Sequence, residues 1–208
     1  MPDDTILCWT WPAEIQGLLP APDPDRHVTV KDCKAWLSEG DTGRYKLAAF
    51  IRQRLRERYI EPVLCLEPEE KNGFSIMAVS CLLIETLETF RQGWPSSDGK
   101  SALAFCYFLD REARFSDFRG HFRAFYKHVR CGILHQGETT GGWKITRKVG
   151  EPLFDMRTHT VHATKFHDLL ADVIDSYRDE LKAQPLTSET CWKNFNRKLK
   201  ATMENCEP

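Results

Sequence analysis

The chain has 208 residues, a formal net charge of −1 and a charged fraction of 28%. This length suffices for one sizeable domain or for one domain with appendages, and the composition is typical of a soluble globular protein. The near-neutral charge excludes a global basic field of the kind that attracts nucleic acid, so any contact with RNA has to be a local patch.

The cysteines and the N-terminus indicate a cytoplasmic protein. Eight cysteines are scattered along the chain without a Cys-x2-Cys pair, which favours reduced, mostly buried thiols over a disulfide framework or a zinc knuckle. The start, Met-Pro-Asp-Asp, lacks the basic and apolar regions of a signal peptide. Because no stretch approaches about 18 uninterrupted apolar residues, we expect no membrane span.

The first 60 residues predict an extension followed by a long helix. Residues 1–40 hold several prolines and three tryptophans, and they predict an N-terminal extension with one small helix around 31–37. A helix is then predicted from a cap at Asp41 or Thr42 to about Glu61, where Pro62 stops it. This helix carries six cations, at positions 44, 46, 52, 54, 56 and 58. They either track an RNA backbone or form a solvated face that acidic neighbours partly neutralise.

The most apolar segment of the chain, residues 74–91, follows a connector over residues 62–72 and predicts the central helix of the fold. Glu85 and Glu88 interrupt its apolar surface, and a carboxylate in such surroundings requires a cationic partner. A loop over residues 93–99 and a further helix over residues 101–111 come next. A helix that Ser116 or Asp117 caps then leads to His135.

The stretch from Phe118 to His135 combines a helical core stripe with residues suited to phosphate chemistry. At about 100° per residue, the apolar positions 118, 122, 125, 129 and 133 form one narrow stripe, whereas Arg130 and His135 fall outside it. Arg presents a planar fork of donors to phosphate oxygens, and His exchanges a proton near neutrality. The same Arg-x4-His spacing occurs at Arg123/His128 and Arg157/His162. The pair at 130 and 135 differs by lying at a helix end, where Gly132 allows close backbone approach and Gly137 allows chain reversal.

A helix that ends in Arg-x4-His, behind a long apolar helix that carries an acidic residue, resembles the HEPN superfamily of helical-bundle proteins. Many of these are metal-independent endoribonucleases of toxin-antitoxin and phage-defence systems, in which two protomers bring their motifs together. The resemblance covers roughly residues 43–183 and implies that Arg130 and His135 are catalytic, that Glu85 orients one of them, and that the protein is a homodimer. HEPN enzymes usually carry a polar residue directly after the Arg, where this chain has Cys131.

Residues after the motif supply further candidates for substrate contact. Short runs on either side of Val149 and Gly150 predict a β-hairpin over about residues 143–156, which places it at the lip of the site. Its Trp143 either stacks a base or anchors packing, and Lys144 meets a phosphate. Two residues of the motif helix, Lys127 and His128, are also candidates for contact with the RNA.

Three histidines at positions 159, 162 and 167 invite a metal interpretation, and a metal-dependent hydrolase built on His159 and His162 is a further alternative. No acidic or cysteine partner completes a recognisable ligand spacing, so we expect neither a metal nor another cofactor. Residues 163–183 then predict an amphipathic helix that closes the bundle, and residues 189–204 predict a basic C-terminal helix.

The whole pattern predicts an all-α bundle of about five helices with one small β-hairpin. We expect an N-terminal extension over 1–40, a HEPN-like helical domain over 41–185 and a C-terminal helical arm over 186–208. The favoured function is metal-independent cleavage of RNA by 2′-hydroxyl attack, in a bacterial defence or toxin-antitoxin setting with a cognate inhibitor or defence partner protein. The alternative is a non-catalytic HEPN-like module that binds a ligand or a protein.

Overall fold

The computed structural model describes residues 2–18, 26–64 and 71–206. Of these described residues, 66% are helical and 7% lie in strands, so the predicted mostly helical class is confirmed. Three prolines of the predicted extension, at positions 20, 22 and 24, lie outside the described residues, as does most of the predicted connector over 62–72.

Contacts group the chain into two compact units that are each discontinuous in sequence. Unit 1 comprises Met1–Glu61, Phe90–Pro95 and Ile174–Pro208, and unit 2 comprises Pro62–Thr89 and Ser96–Val173. These units divide the chain differently from the predicted boundaries at residues 40 and 185, which stay a prediction.

Unit 1 begins with a small antiparallel sheet of β1 (Ile6–Cys8) and β2 (Val28–Thr29). Helix α1 (Val30–Trp36) follows at once, because Thr29 and Asp32 form a capping box at its start. Two of the three tryptophans of this N-terminal stretch, Trp11 and Trp36, are buried edge to face with ring centroids 5.4 Å apart.

The long helix of unit 1 does not stop at Pro62 as predicted. Helix α2 (Gly40–Leu55) passes through a π-helical turn (Arg56–Ile60) into α3 (Glu61–Leu64). A proline inside a regular α-helix clashes with the carbonyl four residues earlier, and the wider turn just before Pro62 relieves that conflict. The predicted caps Asp41 and Thr42 lie inside the helix and do not cap it.

Unit 1 also contains the end of α4 (Gly73–Gln92), the second half of α8 (Ala163–Ala183) and the C-terminal helix α9 (Cys191–Glu204). Helix α9 buries one apolar face, and its Trp192 donates the indole N–H to the carbonyls of Leu181 and Gln184 at 3.1 Å each. These bonds fix the start of α9 against the end of α8.

Helix α4 (Gly73–Gln92) supplies the most apolar surface of unit 2. Among the described residues it is the one helix that is long and apolar enough to cross a membrane by length and composition, and the expectation of no membrane span stays a prediction. However, 67% of its most apolar window is buried inside the protein, which is the usual situation of a core helix.

Unit 2 is otherwise built from α5 (Ser101–Arg111), a 3₁₀ turn (Ala113–Phe118) and the helix that carries the motif. The motif helix starts at α6 (Phe122–Phe125) rather than at Ser116 or Asp117, because Gly120 at φ 80° breaks the chain before it. The core of unit 2 contains a cluster of phenylalanine rings in mutual contact, at positions 105, 108, 115, 118, 125 and 166.

The predicted β-hairpin over residues 143–156 is wrong. Strands β3 (Lys144–Thr146) and β4 (Phe154–Asp155) do not pair with each other, because β5 (Thr160–His162) lies between them, parallel to β3 and antiparallel to β4. The reversal that makes a hairpin comes later, between β4 and β5. There the Asp155 carboxylate accepts hydrogen bonds from the Arg157 N–H and the Thr158 hydroxyl, which fixes the turn.

Candidate functional site

The motif lies on an irregular helix with two glycine-dependent features at its end. After α6 the chain forms a π-helical turn (Tyr126–Arg130) and then α7 (Cys131–Gln136). Gly137 ends α7 in the left-handed conformation at φ 73°, as predicted. A Cβ on Gly132 would lie 2.5 Å from the Glu138 carbonyl oxygen, so the predicted close backbone approach is confirmed.

Three predicted residues, Glu85, Arg130 and His135, form one connected group in unit 2. Arg130 Nε donates to Glu85 Oε1 at 2.6 Å, and Arg130 Nη1 lies 3.2 Å from His135 Nε2. The Arg130 and Glu85 side chains are 13% and 8% exposed, whereas His135 is exposed. The group therefore joins a largely buried ion pair to an imidazole that solvent reaches.

Glu85 is fixed through both carboxylate oxygens. While Oε1 accepts from Arg130, Oε2 accepts from the hydroxyl groups of Ser101 at 2.8 Å and Ser97 at 3.3 Å. A buried carboxylate is stable only when its charge is paired and its lone pairs are satisfied. Here one guanidinium and two hydroxyls meet that requirement.

Tyr126 and Cys131 also interact with the Arg130 guanidinium. Arg130 Cζ lies 5.5 Å from the centroid of the Tyr126 ring, a cation–π distance. Burial opposes the charge of Arg130, but the hydrogen bond and ion pair with Glu85 outweigh it and raise the pKa of Arg130. Burial and a hydrogen bond with Cys131 raise the pKa of Tyr126. Arg130 therefore stays a cation and Tyr126 a neutral phenol at physiological pH.

The contact between Arg130 and His135 defines the tautomer of the imidazole. A guanidinium only donates hydrogen bonds, so His135 Nε2 is the acceptor and the ring proton of the neutral histidine lies on Nδ1. In this arrangement Nε2 carries the lone pair that a general base needs. Arg130 Nη1 must leave it before that nitrogen receives a proton from a substrate.

The other two Arg-x4-His pairs do not form such a group. His128 Nδ1 lies 2.9 Å from the Thr140 hydroxyl, and the Arg123 guanidinium lies over the Phe122 ring. His162 Nδ1 accepts from the Lys165 N–H at 3.2 Å, and its Nε2 lies 3.2 Å from the Lys148 carbonyl oxygen. The context at the helix end thus separates Arg130/His135 from pairs of equal spacing.

The predicted substrate-binding residues differ in how far their side chains are exposed. Lys127 and Lys144 are exposed, and His128 is half-buried against Gly141 and Thr140. The base-stacking role proposed for Trp143 is wrong in this structure. Its side chain is only 4% exposed and stacks in parallel on the rings of Phe154 and His159, so it anchors the strands after the motif.

The metal interpretation finds no support in the described part of the chain. Within it, no group of three or more His, Cys, Asp or Glu side chains is arranged to hold a metal ion. Both histidines on which that interpretation depends have structural contacts, His159 with Trp143 and His162 with two backbone groups.

The cations of α2 and its π-helical turn are mostly neutralised within unit 1. Arg52 donates to Asp175 at 2.6 Å and lies 3.6 Å from Glu14, and Arg56 lies 3.7 Å from Asp175. Lys46 pairs with Glu39. The Arg54 guanidinium donates to the carbonyl of Leu7, and burial lowers its pKa to about 10. This surface favours the solvated, neutralised alternative over a track for RNA.

Sequence reasoning missed Ser97, Ser101 and Tyr126. The available signal for the serines was Glu85 itself, because an acidic residue inside an apolar helix needs hydrogen-bond donors as well as a cation. The loop after the helix of Glu85 leads directly to the helix that starts at Ser101. The first residues of that helix were therefore reasonable candidates for donors to Glu85.

The fold and site together define a mostly helical protein with a buried arginine–glutamate pair beside an exposed histidine. Comparison of the chain with protein-family models, with curated proteins and with solved structures gave no match.

Proposed function

We propose that this chain is a metal-independent endoribonuclease of HEPN type, built as a bundle of about five helices. The observation that carries this proposal is the hydrogen-bonded group of Glu85, Arg130 and His135. It unites a fixed cation, a carboxylate that orients it and a titratable base, and this set suits cleavage of a phosphodiester by an internal nucleophile.

His135 acts as the general base in the proposed reaction. It removes the proton of a ribose 2′-hydroxyl, whose oxygen attacks the adjacent phosphorus while the bond to the 5′-oxygen breaks. The leaving oxygen takes a proton from water and His135 releases its proton to solvent, so the products are a 2′,3′-cyclic phosphate and a 5′-hydroxyl. In this scheme the phosphate draws Arg130 Nη1 away from His135 Nε2 and thereby frees the base when substrate binds.

Arg130 stabilises the extra negative charge on phosphorus in the transition state. Its Nε stays bonded to Glu85 Oε1, so the guanidinium turns about a fixed point and its terminal nitrogens reach the phosphate. Lys127 and Lys144, both exposed, are the cations proposed to meet neighbouring phosphates.

The exposure of His135 suits a site that a second protomer completes, so we also propose a cytoplasmic homodimer that does not bind membranes. A cognate inhibitor or a defence partner protein is part of the same proposal. In a homodimer two copies of the group face a shared cleft, which holds RNA more tightly than one exposed imidazole does.

A second function, a non-catalytic HEPN-like module that binds a ligand or a protein, is favoured by one observation. The Arg130 side chain is only 13% exposed and already donates to Glu85 and His135. If those bonds persist, the guanidinium stays turned toward Glu85 and His135 and exposes little surface to a phosphate, and the group is then a structural element of a binding surface.

Cleavage of total RNA and tRNA in excess EDTA tests the proposal. Wild type should leave 5′-hydroxyl ends, and His135→Ala should be slower by at least about 100-fold, because general base catalysis supplies that much. The matched control is Gln136→Ala, which alters the next exposed residue of α7 and should cleave like wild type. Equal rates for wild type and His135→Ala would contradict the mechanism, and a wild type that cuts no RNA would favour the binding module.

A further inference from the structure

The hydroxyl groups around Glu85 form one end of a directed chain of hydrogen bonds. Ser101 donates to Glu85 Oε2 at 2.8 Å, Arg130 Nε donates to Glu85 Oε1 at 2.6 Å, and Arg130 Nη1 donates to His135 Nε2 at 3.2 Å. The Ser101 hydroxyl oxygen also lies 3.4 Å from the Ser97 carbonyl oxygen, but the Glu85 carboxylate is the nearer and the charged acceptor of its single proton.

Glu85 would not be held in position by Arg130 alone. Arg130 reaches only one carboxylate oxygen, and the last torsion of a glutamate side chain has a broad, weakly restricted energy profile. A monodentate contact therefore leaves the carboxylate free to rotate. The second oxygen is the atom that Ser101 and Ser97 engage.

We infer that Ser101 is a positioning residue of this site, with Ser97 as a weaker second donor. Ser101 is the first residue of α5, so the backbone of that helix fixes its Cβ within hydroxyl reach of Glu85. By restraining Glu85 Oε2 it restrains Oε1, and with it the point about which the Arg130 guanidinium turns.

The helix that starts at Ser101 also favours the charge of Glu85. The positive end of its dipole lies at Ser101, the residue that contacts the carboxylate. Ser97 lies four residues earlier and donates to the same oxygen over a longer distance of 3.3 Å. Loss of Ser101 should therefore have a larger effect than loss of Ser97.

The role of these residues in catalysis depends on the proposed function, but the positioning itself is measurable without any activity. The Hε proton of Arg130 lies in the hydrogen bond to Glu85, and its exchange with solvent by NMR reports how firmly that bond is held. Removing a hydrogen bond to a charged group should accelerate exchange by about 10-fold or more.

The experiment compares Arg130 Hε exchange in wild type, Ser101→Ala, Ser101→Thr and Ser97→Ala. The matched control is Ser116→Ala, since Ser116 is an exposed serine of the same unit. We expect about 10-fold faster exchange in Ser101→Ala, a smaller increase in Ser97→Ala and wild-type exchange in Ser101→Thr, which keeps the hydroxyl. If Ser101→Ala does not fold, the increase in Ser97→Ala carries the test.

Unchanged exchange in Ser101→Ala would overturn the inference, and so would an equal increase in Ser116→Ala or in Ser101→Thr. With RNA as substrate, Ser101→Ala should lower kcat by about 10-fold and change KM by less than about 2-fold, because it misplaces Arg130 without removing a phosphate contact. If wild type cuts no RNA, the proposed function fails, while the exchange rates still decide the role of Ser101.

Discussion

Arg130/His135 and Arg157/His162 have the same spacing in sequence and opposite arrangements in the structure. In the first pair the arginine is largely buried against Glu85 and the histidine is exposed. In the second pair the arginine is exposed and the histidine is only 5% exposed, with both ring nitrogens at backbone groups. The first arrangement leaves an imidazole open to solvent beside a fixed cation, whereas the second uses the histidine for contacts within the fold.

The difference shows that Arg-x4-His spacing alone does not determine how the two side chains are arranged. The position of the Arg130 guanidinium depends on a carboxylate from a distant segment, because it bonds Glu85, which lies 45 positions earlier. Arg157 instead bonds through its backbone N–H to the neighbouring Asp155. Matched changes in the two pairs therefore measure what the distant carboxylate contributes.

The largest difference between matched variants of the two pairs is expected in the free energy of unfolding. Arg130→Met leaves the Glu85 charge buried without its cation and should lower the free energy of unfolding by about 3–5 kcal/mol. Arg157→Met alters an exposed side chain and should change it by less than about 0.5 kcal/mol. Urea unfolding followed by circular dichroism measures both. The double variant Glu85→Leu/Arg130→Met should regain most of the loss, and equal effects of the two single variants would contradict the contrast.

A somewhat smaller contrast is expected in catalysis. Arg130→Lys keeps the positive charge but loses the fork that bonds Glu85 and a phosphate at the same time, so single-turnover cleavage should slow by about 100-fold. Arg157→Lys should cleave within about 2-fold of wild type. Should Arg130→Lys keep full activity, a point charge would be enough and the proposed turning of the guanidinium would be wrong.

The smallest contrast concerns pH. Burial and the nearby Lys165 charge lower the pKa of His162 from its usual 6.5, and protonation of Nδ1 also ends its acceptance from the Lys165 N–H. Because the unfolded chain binds the proton more readily, the contribution of His162 to stability is present above about pH 6.5 and is lost as pH falls through its lower folded pKa.

Wild type should therefore lose stability on acidification, by at most about 1.4 kcal/mol per pH unit from this one group. Urea unfolding at pH 7, 6 and 5 should show a flatter dependence for His162→Gln, which stays neutral, and the wild-type dependence for Arg157→Met. A dependence in His162→Gln as steep as in wild type would assign the effect to other groups.

The sequence predicted the regular helices well because their apolar periodicity is strong. The predicted helices over 101–111 and 163–183 match α5 (Ser101–Arg111) and α8 (Ala163–Ala183). The sequence pattern also identifies Glu85, Arg130 and His135, which the structure brings into contact. What the pattern of one segment cannot show is pairing between segments. The pairing of β3 depends on β5, a strand of only three residues, and the burial of Trp143 depends on the rings of Phe154 and His159.

The number of cations along one helix indicated a binding surface less well than the contacts between side chains from different segments. The many cations of α2 suggested RNA, but acidic residues far away in sequence, such as Asp175 beside Arg52, neutralise them. Ser101 was missed for the complementary reason, since a small polar residue at a helix start is common and only its contact with Glu85 distinguishes it.

The π-helical turn at Tyr126–Arg130 lets the motif helix hold one residue more per turn than a regular α-helix does. The residues of α7 therefore keep the direction that they would have after a regular helix one residue shorter. Deletion of a single residue such as Lys127 would let the helix become regular, and α7 would stay in register with α6. The turn thus confines the effect of a one-residue change in length to the stretch that carries Arg130.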